Sequence, residues 1–137
     1  MSIEIKGLDG FIERIDGLVD EQKIDKALGK ACAVVERAAK QKAPKNTGEL
    51  RHSIKSRVEH LEGVIFSTEE YSPYVEYGTG LFAEKGNGRK DVPWHYKDDE
   101  GNWHTTSGMH PKPFMRPALH ENRELIKRIL KEGITGD

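Results

Sequence analysis

A single cysteine, no apolar run long enough to cross a bilayer and almost no net charge set the first limits on what this 137-residue chain can do. With Cys32 alone no internal disulfide forms, and its place between Ala31 and Ala33 reads as a small core or boundary position on a helix. No stretch approaches the ~18 apolar residues of a membrane span, and Met1 to Lys6 lack the apolar run of a signal peptide. The expectation is a protein made and kept in a reducing, soluble compartment, with no membrane partner. A formal net charge of −1 argues against a polycationic nucleic-acid binder. Apolar residues are scarce too, 35% against 33% charged, so the core is small relative to the surface. Such a chain completes its burial against copies of itself or other subunits. Its length suits one domain, residues 1–137.

Signatures of chemistry are also missing. No HExxH, CxxC or two-His-one-carboxylate spacing occurs, no GK[ST], and no nucleophile elbow surrounds Ser53, Ser67, Ser72 or Ser107. Glu69-Glu70 and Asp98-Asp99-Glu100 are adjacent carboxylates, which suit solvated turns; an acid–base pair needs groups converging from separate elements. Gly78-Thr79-Gly80 and Gly86-Asn87-Gly88 read as tight backbone turns rather than phosphate loops, and Lys85, Arg89 and Lys90 as solvated loop charge. Six histidines leave one metal reading open. His95 and His104 flank a turn, with His110 or Cys32 as further ligands, and strand alternation puts the pair on one face or on opposite faces. No catalytic residue, cofactor or metal is assigned.

What is present is patterned. Ile3 and Ile5 alternate with polar residues as a short strand, and Leu8, Phe11, Ile12, Ile15, Leu18 and Val19 recur at helical spacing. A longer helix carries Ile24, Leu28, Ala31, Val34, Val35, Ala38 and Ala39 and stops before Pro44. Its alanine-rich face invites close approach by a helix or a sheet. After the turn cluster Pro44 to Gly48, two β-prone runs with Ile54, Val58, Val64 and Phe66 are split by His60-Leu61-Glu62-Gly63 as a hairpin. Pro73 opens one short helical turn and Gly78 ends it. From about 81 to 110 runs a polar excursion in which Trp94-His95-Tyr96 and Trp103-His104-Thr105 form a second hairpin. The last helix begins near Pro117, with Leu119, Leu125, Ile126, Ile129 and Leu130 on one face. The fold class is α+β: a small antiparallel sheet (two hairpins plus a short N-terminal strand) packed against a long helix and a C-terminal helix.

Charge is segregated along the chain. Lys30 to Arg57 holds eight Lys/Arg against two acids, whereas Val58 to Glu76 holds five Glu and no Lys or Arg. Solvated faces or charge-complementary contact between neighbouring subunits both account for this. The segment Pro111-Lys112-Pro113-Phe114-Met115-Arg116-Pro117 has three prolines in seven residues, each locking its own φ and restricting the residue before it. It reads as a stiff, exposed docking element. With the two tryptophans on a polar excursion, the candidate partner interface is Tyr77, Trp94, Trp103, Pro113, Phe114, Met115 and Arg116.

Taken in order, Ala43-Pro44, Thr47-Gly48-Glu49-Leu50-Arg51-His52-Ser53-Ile54, Tyr74-Val75-Glu76-Tyr77-Gly78-Thr79 and Pro113-Phe114-Met115-Arg116-Pro117-Ala118-Leu119 resemble one family. It is the tail-component family of long-tailed bacteriophages whose namesake is gene product ten of phage HK97. The Trp94 to Trp103 hairpin looks like the version from phages and prophages of Gram-positive bacteria. The resemblance implies a structural virion protein at the head–tail junction, in the neck or in tail completion. It also implies a homo-oligomeric ring docked to other neck or tail proteins, with DNA passing without sequence specificity. Such a protein is assembled in the bacterial host cytoplasm and resides in the virion, and the family offers no catalytic residues to carry over. The alternatives are a nucleic-acid-binding module using the basic stretch 30–57 and, more weakly, a metal-dependent enzyme.

Overall fold

The computed structural model of the chain describes residues 1–5, 20–45 and 48–135. The helix expected over Leu8 to Val19, and Asn46 and Thr47 of the turn cluster, lie outside them. In chain order the elements are β1 (Ser2–Ile5), α1 (Glu21–Lys42), α2 (Glu49–Ser53), β2 (Ile54–Glu59), β3 (Glu62–Ser67), α3 (Ser72–Tyr77), a 3-10 turn (Gly80–Phe82), β4 (Trp94–Lys97), β5 (Trp103–Thr106), α4 (Met115–Glu121) and α5 (Arg123–Thr135). Contacts divide the chain into two units. One is Met1–Glu69 with Phe114–Asp137, and the other is Glu70–Pro113.

The first unit is built around α1. Asp20 caps it, its carboxylate accepting the Gln22 N–H at 2.9 Å, and the helix ends where Ala43, the residue before Pro44, turns extended. Ile24, Ala27, Leu28, Ala31, Cys32, Val35 and Ala39 recur at helical spacing and are all buried, while Lys23, Lys26, Lys30 and Arg37 occupy exposed positions. The sheet is antiparallel in the order β1-β3-β2. Its register sets Ile3 opposite Ile65, Ile5 opposite Gly63, and Gly63 in turn opposite Val58. Directly opposed residues share a face, so one face collects Ile3, Ile5, Ile54, Val58, Gly63 and Ile65. α1 packs on this sheet and also on α4 and α5.

Both approaches to the alanine-rich helix face are used, and a glycine permits each. A Cβ on Gly63 of β3 would sit 2.5 Å from the Cys32 sulfur, and one on Gly133 of α5 would sit 2.5 Å from the Ala27 Cβ. Ile24, Leu28 and Leu61 form a buried cluster, with Ile5, Val58, Leu130 and Ile134 packed against it. The two-residue turn between β2 and β3 is tied to the same place. Leu61 takes φ 61°, unusual for a residue with a branched side chain. It is held there by the Asp25 carboxylate, which accepts the Leu61 N–H at 2.8 Å.

Two details depart from expectation. The C-terminal helix is interrupted at Asn122, whose side-chain amide donates to the Ala118 carbonyl at 2.8 Å and competes with the regular ladder. The proline segment is not an exposed docking element throughout. Phe114 and Met115 are fully buried, and α4, which Met115 opens, packs on α1. Prolines stiffen a backbone but do not decide what its apolar side chains cover; two large apolar groups at a helix entry go to the core.

In the second unit, Pro73 lies in the first turn of α3 and Gly78 closes it. β4 and β5 pair alone as a two-stranded antiparallel sheet, so the two expected hairpins belong to separate sheets. The loops below the hairpin meet backbone to backbone. A Cβ on Gly80 would lie 2.1 Å from the Ser107 carbonyl oxygen, one on Gly108 2.1 Å from that of Thr79, and one on Gly88 2.2 Å from that of Gly80. Only glycine fits these crossings.

Candidate interaction surface

The glycine crossings let separate loop segments converge on a groove of about 320 Å³ within the second unit. Tyr74 and Tyr77 reach it from α3, Lys85, Asn87 and Arg89 from the following loop, and Trp94 from the start of β4. Two cations lie on aromatic faces there. The Lys85 ammonium is 4.5 Å from the Tyr77 ring centre, and the Arg89 guanidinium 5.0 Å from that of Trp94. Arg89 also lies 3.9 Å from the exposed Asp91 carboxylate, a contact too long and too wet to hold it strongly.

The hairpin above is pinned at its tip. Asp98 accepts the backbone N–H groups of Glu100 (3.0 Å) and Asn102 (2.8 Å), and its other oxygen meets the His104 ring at 2.7 Å. The His104 hydrogen bond, followed by that from the Asn102 N–H, holds the Asp98 carboxyl below the usual carboxylate range. His104 also stacks on Tyr96 at 5.2 Å. Register settles the histidine question, because His95 pairs with Thr105 and Tyr96 with His104. The two histidines therefore sit on opposite faces. His95 contacts the Thr105 hydroxyl at 2.8 Å, and the described residues hold no cluster of three or more potential metal ligands.

Of the seven interface candidates, Tyr77 and Trp94 come together in the groove. Trp103 lies on the opposite hairpin face from Trp94, 69% exposed, with the Lys97 ammonium 5.7 Å from its ring. Pro113 is exposed, Arg116 half-buried, and Phe114 and Met115 belong to the core. Sequence reasoning missed Lys85 and Arg89 as groove residues, since only the folded loops bring them beside the rings. It also missed Glu76, a fully buried carboxylate on α3. The basic stretch 30–57 is spread over α1, α2 and β2. Half of its cations are engaged within the chain: Lys40 with Glu36, Lys42 with Glu121, Arg51 with the Lys40 carbonyl and Arg57 with Glu59.

A family model described as "Bacteriophage HK97-gp10, putative tail-component" matches residues 6–78, more than half of the chain. The chain belongs to this family. The match runs from just after β1 through α1, α2, β2 and β3 to the end of α3, so the Thr47 to Ile54 and Tyr74 to Gly78 motifs lie inside it and the proline motif beyond it. No curated protein and no solved structure matches the chain. Membership makes it a bacteriophage tail component. Among the described residues, no helix is long and apolar enough to cross a membrane.

Proposed function

We propose that this tail component is a structural, non-enzymatic virion protein at the head–tail junction, acting in the neck or in tail completion. It forms a ring of identical subunits and docks to neighbouring neck or tail proteins. It is assembled in the host cytoplasm, and DNA passes the finished ring without sequence-specific contact. Residues 1–137 act as one domain, with 81–110 as its assembly arm.

One observation carries this reading. Among the described residues, every exposed large hydrophobic side chain, Tyr71, Tyr74, Leu81, Tyr96 and Trp103, belongs to Glu70–Pro113. Scattered exposed apolar residues need no explanation, but their confinement to one segment supports an interaction role for that segment. Covering Trp103 alone removes roughly 150 Å² of apolar area from water, which contributes about 4 kcal/mol to association. A ring of subunits covers such surface repeatedly and leaves no open end.

Deletion of the gene from its phage or prophage tests the proposal. Electron microscopy should then show filled heads and tails that fail to join, restored by the gene supplied in trans. Intact, infectious virions from the deletion strain refute it.

A further inference from the structure

The second unit holds two features of opposite charge at opposite ends of one hairpin. At the base of the hairpin is the groove, where Tyr77 and Trp94 carry Lys85 and Arg89 on their faces. Lys85 is exposed and makes no ion pair among the described residues, so its ammonium can take an anion beside the ring. The exposed Arg89 guanidinium, 5.0 Å from the Trp94 ring centre and only loosely paired with Asp91 at 3.9 Å, offers a planar fork suited to a carboxylate.

The tip of the hairpin is the loop 98–102, which contains Asp98, Asp99 and Glu100. Asp98 is spent inside the loop: besides the bonds above, its own N–H donates to the Asn102 carbonyl at 2.8 Å, and Gly101 returns an N–H to the Asp98 carbonyl at 3.0 Å. That frame leaves Asp99 and Glu100 exposed, with no ion pair among the described residues. Two carboxylates on a pre-ordered loop lose little conformational freedom on meeting a partner.

The tip cannot reach its own groove. Trp94 is paired in the β4–β5 ladder, and from there to Asp99 an extended strand spans roughly 15 Å. Complementary charges held apart by the β4–β5 ladder satisfy each other between copies.

We propose that Asp99 and Glu100 at the hairpin tip of one copy seat on Lys85 and Arg89 in the groove of the next copy. This rests on the ring reading above and supplies its contact. Because donor and acceptor patches lie at opposite ends of the hairpin, the contact is head-to-tail and propagates around a ring.

Sedimentation velocity of the full-length chain tests it through charge reversal. One variant carries Lys85→Glu with Arg89→Glu, and a second carries Asp99→Lys with Glu100→Lys. Each should weaken self-association by roughly ten-fold or more. Mixing the two should restore it, as should a chain carrying all four changes, and wild-type association should weaken as salt is raised. The tip variant alters only exposed loop side chains, so it remains informative if the groove variant misfolds. If the wild type associates and both reversals leave it unchanged, this contact is wrong while the ring reading stands. A wild type that stays monomeric at several hundred micromolar removes both. Labelled oligothymidine that binds the wild type and not the groove variant, with self-association unaltered, assigns the groove to nucleic acid and overturns the proposal.

Discussion

Replacing Gly63 with alanine isolates the closest helix–sheet approach in the chain. The added methyl would lie 2.5 Å from the Cys32 sulfur, while its next neighbours, Leu28 Cδ2 at 3.7 Å and Ile5 Cβ at 3.9 Å, are at ordinary contact distance. Gly63 does not have a positive φ, so alanine meets no backbone strain. Without the sulfur, Gly63→Ala would stabilise by roughly 0.5–1 kcal/mol, because it restricts the unfolded chain. With the sulfur in place, α1 and β3 must part by about an ångström in a packed core, which costs about 1–3 kcal/mol. The net expectation is a loss of about 1–2 kcal/mol, a fall in Tm of several degrees for a chain of this size.

Cys32→Ala alone should cost about 1 kcal/mol for the lost buried sulfur. Combined with Gly63→Ala it should cost less than either the sum of the two or Gly63→Ala by itself. Urea unfolding followed by circular dichroism, analysed as a double-mutant cycle, measures the coupling, expected at about 1–3 kcal/mol in favour of the pair. Strictly additive effects, or a stabilising Gly63→Ala in the wild-type background, would refute the close approach.

Other outcomes follow from single sites. Cys32 is buried, and burial first, then the Glu36 carboxylate, pushes its thiol from 9.0 up to about 11; it should resist alkylation at pH 8 until urea unfolds the chain. The unfolded thiol ionises first, so stability tied to Cys32 is full below pH 9 and is lost as pH rises from 9 to about 11, by about 2 kcal/mol at most. Glu76→Ala should destabilise by about 3 kcal/mol in thermal or urea unfolding, because the fully buried carboxylate must be compensated within the fold and its partners would be stranded. The depressed Asp98 carboxyl is favoured in its charged form, so the hairpin tip keeps its order above the ordinary carboxylate range and loses it as pH falls below. His104→Ala should bring that loss to higher pH, read from the amide signals of Glu100 and Asn102.

Most elements of the fold were legible because local chemistry and global packing agree. Ile3 and Ile5, the Ile24 to Ala39 face, and the stop at Pro44 each state their element directly, as do the turn residues of both hairpins. What escaped depended on more than one segment. α2 has five residues and one buried apolar side chain, Leu50, too little for any period to show. The faces of His95 and His104 hang on a register that the loop 98–102 sets. Phe114 and Met115 lie in the core although the prolines around them suggest exposure, because proline fixes backbone geometry and not burial. The groove draws on α3, the 80s loop and β4, and no local pattern announces the rings under Lys85 and Arg89.

The two units are stabilised by different means, and this bears on how the protein works. Of the buried hydrophobic side chains among the described residues, Val75 alone falls within Glu70–Pro113, and the rest belong to the helix–sheet unit. A segment with one buried aliphatic side chain draws little from hydrophobic burial. It stands instead on glycine-enabled backbone crossings, the Asp98 loop bonds and cations on rings, all of them small contributions at a solvent-exposed site. Local opening of the hairpin should therefore be far easier than opening of α1, and its amides should exchange first. A partner that covers Tyr96 and Trp103 would supply the burial the segment lacks and would stabilise it by mass action. Slowed exchange at β4 and β5 on assembly, with α1 unchanged, is the signature of that linkage; equal protection before and after assembly would mean that the hairpin is not where subunits meet.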